Sequence, residues 1–497
     1  MEDFINLFYN NLLNKNNLSN DRTFYRYFET FVLKLIESIL EKENKPLIKY
    51  PKEEFLNNDN NISFYEFDAI APEGINGIKG PTLIEIKSSL STKSIQNIAR
   101  IHRRNNKEFN SYLIIIGTPL DNSDRNFLKK TFDFKIYNNE NQVEIWDLEK
   151  IVELASNSND ISKRILNNIE NEVFNLTIEN ARNSSDDWTK ERDVRLEKLK
   201  QAYKNDEIVL MVGAGASKDA GVPDWSELLK DLNLSIIDQK ISAKLTSKEK
   251  SELADSLVGM QNGTPLVSAS YIKNALGNEF VKEIKNSLYK HVKPIKDQRL
   301  LEVIAQLSRP KRKRVGIDAI ITYNFDDLLE VQLNKNGVEY KSIYREGDFE
   351  IPTKLSVYHV HGFIPKKPEE YKNLEQALLV FSEEGYHELQ IDPYSWSNIV
   401  QMKALREKTC VLVGLSGLDP NLRRLFSIHA KRFDGCKHYI ILERQFKDEM
   451  ISKSSKFQEF SKLHHTIQED TFKEIGLNVI WYSEHTEIPG LLEKLDK

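Results

Sequence analysis

The sequence predicts an α/β protein of two domains, in which a smaller α/β domain precedes a doubly wound parallel sheet. Three observations support this fold class. A chain of 497 residues is too long for one ordinary hydrophobic core. From residue 208 onward, short apolar runs alternate with segments of helical periodicity, and several runs are nearly continuous, as strands buried on both faces of a parallel sheet should be. The first 150 residues instead combine an opening helix with a few separated strands.

The first predicted domain covers residues 1–150, and a polar stretch that we interpret as a helical linker covers residues 151–190. The opening helix is predicted across Phe24–Ile36, where apolar residues recur at helical spacing. A second helix is expected over Ser94–Arg104. The predicted strands of this domain are Ser63–Ile70, Thr82–Lys87 and Tyr112–Ile116.

The second predicted domain covers residues 191–497. Residues 231–300 carry helical patterning without clear strands, which predicts a helical insertion. Ligands of such a doubly wound sheet bind at the carboxyl ends of its strands. The apolar runs predicted as strands are Ile208–Val212, Ala319–Thr322, Ser356–Val360, Ala377–Phe381, Thr409–Val413, His438–Leu442 and Asn478–Trp481.

Composition narrows the class of protein. The net charge is −5 and 29% of residues are charged, which favours no nucleic-acid partner overall. The basic run 309–314 is either a solvated loop or a loop that contacts phosphates. No apolar run approaches the ~20 residues that cross a bilayer, and the first residues lack the pattern of a signal peptide, so we expect a cytoplasmic protein without a membrane partner. The only cysteines, Cys410 and Cys436, exclude a four-cysteine zinc site.

A glycine-rich turn follows the first strand of the second domain. The segment Gly213–Ser217 reads Gly-Ala-Gly-Ala-Ser, and glycines without Cβ atoms let backbone N–H groups approach a pyrophosphate. The usual dinucleotide pattern G-x-G-x-x-G would require glycine where Lys218 stands, and no Walker A pattern follows the strand. Taken alone, the turn is a weak signal, and a tight structural turn is the alternative.

Further polar motifs follow the later strands in order. They are Thr322-Tyr323-Asn324-Phe325-Asp326, His359-Val360-His361-Gly362 and Gly414-Leu415-Ser416-Gly417-Leu418-Asp419. Together with the glycine turn and Gly221-Val222-Pro223-Asp224, these motifs resemble those of the sirtuin family over roughly residues 205–435. The departures at Trp225 and at the Asp419-x-Asn421-Leu422 extension look more like the bacterial antiphage branch of that family.

The resemblance implies a Rossmann-like fold and hydrolysis of NAD, the substrate, to nicotinamide and ADP-ribose. It assigns His361 as general base, Asn324 as the residue that orients the ribose and a water, and Asp326 as the support of that loop. An imidazole near its free pKa suits a base at neutral pH. The NAD-binding residues that the resemblance implies are Gly213, Ala214, Gly215, Ser217, Asp224, Thr322, Gly414 and Ser416. Among these, Asp224 would contact the nicotinamide end, while Ser217 and Ser416 would serve phosphate or ribose hydroxyls.

Structural alternatives remain for two of these positions. His359 would share a face with His361 if the strand stays extended, and it is either a functional residue or a packed, hydrogen-bonded neighbour. Asp326 could instead cap the helix that continues from Leu328. Sirtuin deacylases carry a zinc module of four cysteines, which this chain cannot form. Water therefore becomes the expected acceptor of the ADP-ribosyl group, and a hydrolase is favoured over a deacylase.

The first domain carries a carboxylate–lysine pattern. On the predicted strand Thr82–Lys87, Glu85 and Lys87 share one face, and Asp68 on a neighbouring strand could meet Glu85 around a Mg²⁺ ion. This resembles the D…E-x-K core of restriction-endonuclease-like, PD-(D/E)xK nucleases, and Glu29 and Gln96 fit the Mrr-type arrangement. An exposed Glu–Lys pair is the alternative.

The two resemblances together imply a bacterial antiphage effector that depletes NAD, with a metal-dependent DNA nuclease activity as a second expectation. Three alternatives stay open: a nuclease whose sirtuin-like domain only senses NAD or ADP-ribose, a deacylase, and a catalytically silent scaffold. The partners expected besides NAD are DNA, further copies of this chain, and a hexameric DNA-translocating ATPase encoded nearby.

Overall fold

The computed structural model describes residues 22–497 except 57–61, 93–94, 97, 101–108, 133–141, 184–186, 241–244, 262–264, 312–315, 432–435 and 446–453. The chain forms two compact units. The first comprises Met1–Asp186, Ala430–Asp434 and Met450–Asp470, and the second comprises Asp187–His429, Gly435–Glu449 and Thr471–Lys497. Among the described residues, no helix combines the length and the apolar character that crossing a bilayer requires.

The first unit is built on a five-stranded sheet of order β1-β4-β7-β8-β9, in which β7, β8 and β9 are parallel and β4 pairs antiparallel with β7. Two small antiparallel pairs, β2-β3 and β5-β6, accompany it. The strands are β1 Ile48–Lys49, β2 Lys52–Leu56, β3 Ile62–Glu66, β4 Ala69–Ala71, β5 Gly74–Ile75, β6 Ile78–Lys79, β7 Thr82–Lys87, β8 Ser111–Ile116 and β9 Gln142–Trp146. The helices are Arg22–Lys42, Asn122–Thr131, Leu148–Asn157, Asn159–Asn167 and Ile169–Asn183.

Helices pack on both faces of this sheet, which explains the apolar character of β7 and β8. The helix Arg22–Lys42 packs through residues such as Phe31 and Ile36 against one face. The three helices between Leu148 and Asn183, assigned to a linker from sequence, also contribute to that cluster. Of the helix predicted over Ser94–Arg104, residues 95–96 and 98–100 are helical, and several of the others lie outside the described residues.

The second unit contains a seven-stranded, fully parallel sheet of order β12-β13-β11-β10-β14-β15-β16. This sheet fits a Rossmann-like α/β fold. Its central strands are apolar throughout because hydrophobic clusters cover both faces. The strands are β10 Ile208–Val212, β11 Ile317–Thr322, β12 Tyr340–Ile343, β13 Leu355–His359, β14 Thr409–Val413, β15 His438–Glu443 and β16 Leu477–Tyr482.

Helices connect these strands, and several of them fill the long segment between β10 and β11. In that segment lie Trp225–Lys240, Ser247–Gln261, Pro265–Leu276, Phe280–Tyr289 and Arg299–Leu307. The other helices of the described chain from Asp187 onward are Trp188–Lys204, Leu328–Lys335, Glu383–Ile391, Trp396–Glu407, Pro420–Ala430, Ser455–Glu474 and Ile488–Glu493.

In the first unit, the predicted strand Ser63–Ile70 is instead two strands of different sheets, β3 and β4, and strands β1, β2 and β9 were not predicted. In the second unit, one predicted strand is wrong and one strand was missed. Ala377–Phe381 is not a strand: the N–H groups of Leu378 and Val380 donate to the carbonyls of Tyr344 and His361, at 3.2 and 2.6 Å, while Phe381 is buried in the core. Its apolar character therefore reflects side-chain packing of a loop. The missed strand is β12, an edge strand whose first two residues are only half-buried.

The strand order places several loops together. β10 lies between β11 and β14, so the chain proceeds to one side of β10 first and to the other side later. In open α/β sheets, ligands bind in the crevice at such a reversal, beyond the carboxyl ends of the strands. The loops that follow β10, β11, β13 and β14 all emerge at this edge.

Candidate functional site

Asn324 lies in the loop after β11 and is held by a directed chain of hydrogen bonds. Its Nδ2 donates to Ser217 Oγ at 3.0 Å, and the Ser217 hydroxyl contacts Asp326 Oδ1 at 3.5 Å. Because an ionised carboxylate only accepts, Ser217 donates to Asp326 and accepts from Asn324. This order of donors and acceptors fixes the amide of Asn324 with its nitrogen toward Ser217, so its oxygen, Oδ1, points away from Ser217.

Two buried polar atoms in these loops have no hydrogen-bond partner among the described residues. They are Oδ1 of Asn324 and Nε2 of His361, and the two residues are 8% and 5% exposed. A buried polar group without a partner costs about 1–3 kcal/mol. Because β11 and β13 are adjacent parallel strands, the loops that carry these two residues lie side by side at the carboxyl edge of the sheet.

His361 lies among aromatic rings and one carboxylate. The Tyr323 ring contacts it edge-on at a centroid distance of 4.6 Å, and the Tyr386 ring lies 5.6 Å away. Asp419 Oδ2 is 3.7 Å from His361 Nε2. Burial lowers the pKa of His361 below its usual value, and the Asp419 carboxylate opposes part of that effect. The imidazole is therefore neutral at pH 7 and able to accept a proton.

Asp326 is a buried carboxyl group with a local structural contact. Burial raises its pKa to about 6, while the hydrogen bond from the Leu328 backbone N–H, 3.0 Å long, opposes the rise. That contact belongs to the first turn of the helix Leu328–Lys335, so the capping alternative considered from sequence describes part of what this residue does.

The glycine turn after β10 packs directly on the loop after β14. A Cβ atom on Gly414 would lie 2.2 Å from the nitrogen of Ala216, and one on Gly215 would lie 2.8 Å from the Cα of Gly414. The Gly215 N–H donates to the Gly414 carbonyl at 2.9 Å. These glycines therefore permit the two loops to touch, a reason that differs from the pyrophosphate approach expected from sequence.

The remaining predicted NAD-binding residues occupy different surroundings. Thr322 is buried, and its Oγ1 accepts from the backbone N–H of Asn324 at 3.1 Å. Ala214 and Ser416 are exposed at the rim, where Ser416 Oγ accepts from the Leu418 N–H at 3.3 Å. Asp224 and Glu227 form a reciprocal cap at the start of the helix Trp225–Lys240, so the Asp224 carboxylate already has a structural partner.

Two residues of the site, Asp419 and Tyr386, were not assigned a role from sequence. Asp419 accepts from the Leu422 N–H through Oδ1 at 2.7 Å, which caps the helix Pro420–Ala430. Its other oxygen, Oδ2, accepts from the Tyr386 hydroxyl at 2.5 Å and faces His361. The position of Asp419 before a helix was a visible capping signal, but its proximity to His361 depends on the tertiary fold.

His359 is fully buried at the end of β13 and does not enter the crevice. Its ring contacts Glu330 and the backbone of Asn324. Of the two roles considered for His359 from sequence, its position therefore matches that of a packed, hydrogen-bonded neighbour of the site.

In the first unit, the structure brings Asp68, Glu85 and Lys87 together. The antiparallel register of β4 and β7 places Asp68 next to Glu85, and Lys87 Nζ lies 3.5 Å from Asp68 Oδ2 and 2.9 Å from Glu85 Oε2. Glu85 is 1% exposed, so this is not the exposed pair considered as the alternative.

The two accessory residues of the first unit differ in position. Glu29 is half-buried and hydrogen-bonds to Tyr50, whereas Gln96 is exposed. Within the described part of the chain, no group of three or more His, Cys, Asp or Glu side chains is arranged to hold a metal ion. In the basic run 309–314, residues 312–314 lie outside the described residues.

The fold of the second unit is that of an α/β protein with a candidate ligand site at the reversal of strand order. Residues 318–465 match the sequence profile of the SIR2-like domain, a range that holds Asn324, His361 and Asp419 but not the glycine turn. The chain is also similar to the NAD(+) hydrolase ThsA of Enterococcus faecium, with 21% identity over 316 residues. That similarity covers 62% of this chain and 59% of the length of the relative.

Proposed function

We propose that the second unit hydrolyses NAD to nicotinamide and ADP-ribose in the crevice formed by Asn324, His361 and Ser217. The observation that carries the proposal is the pair of buried atoms, Asn324 Oδ1 and His361 Nε2, that have no partner among the described residues. Hydroxyl groups both donate and accept hydrogen bonds, so a ribose and a water would satisfy them.

The chemistry suits these side chains. Cleaving the bond between nicotinamide and ribose develops positive charge on the ribose, and catalysis depends on positioning and on control of water. In this proposal, nicotinamide leaves with the electrons of the C–N bond, and a water oxygen bonds to the ribose carbon. The neutral ring of His361 takes a proton from that water, while Asn324 Oδ1 orients the ribose or the water.

The comparisons support this choice of substrate and reaction. The matched SIR2-like range contains both proposed catalytic side chains, and the relative is named for NAD hydrolysis. Water is the proposed acceptor rather than an acyl-lysine, because a chain with two cysteines cannot build the zinc module that accompanies deacylase activity in sirtuins. We place the activity in antiphage defence, where loss of NAD would stop phage replication.

An NAD hydrolase of this kind must be restrained in a healthy cell, so we infer that its activity depends on assembly with further copies, with DNA, or with a DNA-translocating ATPase. Light scattering paired with NAD turnover, for the protein alone and with each partner, tests this regulation. A monomer that cleaves NAD at full rate without a partner would contradict it.

Nicotinamide release from NAD by the purified protein, with and without phage lysate, tests the main proposal. His361→Ala and Asn324→Ala should each reduce turnover by at least ~100-fold with little change in thermal unfolding. His291→Ala, which removes an exposed histidine of the same unit, is the matched control. If both folded site variants keep wild-type turnover, the assignment fails. If the wild type binds NAD without cleaving it, the sensor alternative replaces it.

A second candidate function is a metal-dependent DNA nuclease in the first unit, favoured by the convergence of Asp68, Glu85 and Lys87. Mg²⁺ binds through one or two carboxylates together with waters, so the two carboxylates fit this ion, which would bring an attacking water close to a phosphodiester. Lys87 would then offset phosphate charge.

Cleavage of plasmid DNA with and without Mg²⁺ tests this candidate. Glu85→Gln should abolish metal-dependent cleavage, whereas Glu73→Gln, at an exposed position of the same unit, should not. The nuclease proposal is refuted if the wild type leaves DNA intact in Mg²⁺ and in Mn²⁺.

A further inference from the structure

The side chain of His359 makes two polar contacts inside the second unit. Nε2 lies 2.7 Å from Glu330 Oε1, and Nδ1 lies 3.3 Å from the backbone carbonyl oxygen of Asn324. The ring also packs against Phe363 at a centroid distance of 4.0 Å. His359 and Glu330 are 0% and 1% exposed. Both residues are therefore removed from solvent immediately behind the proposed catalytic loop.

The chemistry of the partners determines where the hydrogens lie. A backbone carbonyl oxygen only accepts, so Nδ1 carries the hydrogen that is directed at Asn324. Glu330 Oε1 also accepts from the Ser342 hydroxyl at 2.9 Å, and a further hydrogen must lie between this oxygen and Nε2. The imidazole and the carboxylate thus form a hydrogen-bonded pair inside the fold.

Asn324 is held at each polar group other than Oδ1. Its backbone N–H donates to Thr322 Oγ1 at 3.1 Å, its carbonyl accepts from His359, and its Nδ2 donates to Ser217 at 3.0 Å. Three separate contacts on one residue leave the loop little freedom, and the remaining polar atom, the buried Oδ1, has no hydrogen-bond partner among the described residues.

We infer that His359, supported by Glu330, is a positioning residue of the NAD site, which fixes the backbone of Asn324 so that its Oδ1 meets the ribose or the water. The inference rests on the proposed NAD hydrolysis. His359 itself does not touch the substrate. Its effect on rate follows from geometry, because a displacement of about 1 Å at a reacting group can cost ~100-fold in rate.

A purely structural role is the competing explanation. The pair links the end of β13 to the helix Leu328–Lys335 and, through Ser342, to β12. In that case, replacing His359 would lower stability, and molecules that still fold would turn over NAD at the normal rate. Stability and kcat must therefore be measured on the same variants.

Two replacements of His359 separate its two contacts. The amide nitrogen of asparagine can occupy the place of Nδ1 and keep the bond to Asn324, whereas that of glutamine reaches the place of Nε2 and faces position 330. Each replacement is made together with Glu330→Gln, so that neither variant leaves an unpaired buried charge. The double variant H359N/E330Q thus keeps the contact to Asn324 and loses the one to position 330, and H359Q/E330Q does the reverse.

Nicotinamide release and urea unfolding are then measured for the wild type and both double variants. We expect H359Q/E330Q to lose at least ~10-fold in kcat with KM within ~3-fold, while H359N/E330Q keeps most of its kcat at similar stability. Equal kcat in the two double variants would overturn the positioning role.

The same experiment separates this inference from the proposed function. Absence of nicotinamide release by the wild type would contradict NAD hydrolysis. In that case, NAD affinity measured by calorimetry decides the positioning role, because Asn324 Oδ1 would still contact the bound ligand. Weaker NAD binding by H359Q/E330Q than by H359N/E330Q supports the inference, and equal affinity overturns it.

Discussion

The contact between the glycine turn and the loop after β14 leads to a prediction about Gly414. Its φ is +68°, and an added Cβ would lie 2.2 Å from Ala216 N, 2.7 Å from Gly215 C and 3.0 Å from Gly213 O. All three atoms belong to backbone, so no flexible side chain can move away. Gly414→Ala should therefore combine the cost of a left-handed alanine, about 1–2 kcal/mol, with an overpacking cost of about 1–3 kcal/mol.

Gly337 provides the matched control for this substitution. Its φ is also +68°, and no described atom lies within 4 Å of its Cβ position, so Gly337→Ala carries the conformational cost alone. Subtracting the two effects isolates the clash between the loops. Tryptophan fluorescence during urea unfolding suits the measurement because four of the five tryptophans belong to the second unit, namely Trp188, Trp225, Trp396 and Trp481.

We expect Gly414→Ala to be less stable than Gly337→Ala by about 1–3 kcal/mol and to raise KM for NAD, since the loops that line the crevice must move apart. Gly337→Ala should leave KM unchanged. Equal destabilisation by the two variants would refute the close packing of the loops as the reason for glycine at position 414.

Three further predictions concern single side chains. Burial raises the pKa of Asp326 to about 6 in the folded protein, whereas an aspartate in the unfolded chain has a pKa of about 3.9. Because the folded state binds the proton more tightly, the contribution of Asp326 to the free energy of unfolding falls as pH rises from about 4 to 6. Asp326→Asn should remove that pH dependence and raise the free energy of unfolding, measured with urea at pH 7, by up to roughly 2–3 kcal/mol. An unchanged dependence of stability on pH would contradict this. Asp419→Asn should lower the pKa of His361 further and move the acid limb of kcat/KM to lower pH; a limb that stays in place would argue against the contact. Thr322→Val should leave the Asn324 N–H without its acceptor, cost about 1–3 kcal/mol in urea unfolding and reduce kcat, and wild-type values of both would exclude this role.

The parallel sheet was predictable because its inner strands are covered on both faces and contain few polar residues. Edge strand β12 was not, since Tyr340 and Lys341 are half-buried and resemble a surface segment. The error at Ala377–Phe381 has the opposite origin, because an apolar loop that packs on the core has the composition of a strand. The hydropathy of a segment indicates whether its side chains are buried. It does not indicate whether its backbone N–H groups donate to a neighbouring strand or to other parts of the chain.

The candidate site was predictable to the extent that its residues follow strands in short motifs. Asn324 and Ser217 meet because β10 and β11 are neighbours in the sheet. The role of Asp224 in a helix cap was visible in principle, because Asp followed three residues later by Glu is a capping pattern. The pairing of His359 with Glu330 joins a strand to the preceding helix, and no local pattern marks it.

The order of the strands gives the contact between His361 and Asp419 a further meaning. These residues follow β13 and β14, which are separated in the sheet by β11 and β10. Three strand spacings amount to ~14 Å, yet the two side chains approach to 3.7 Å. The outer loops must therefore lean toward each other across the ends of the two inner strands, which carry Asn324 and Ser217. Asp419 thus opposes the effect of burial on the pKa of His361, and its contact with His361 brings the loop after β14 close to the loop after β13 above the ends of β10 and β11.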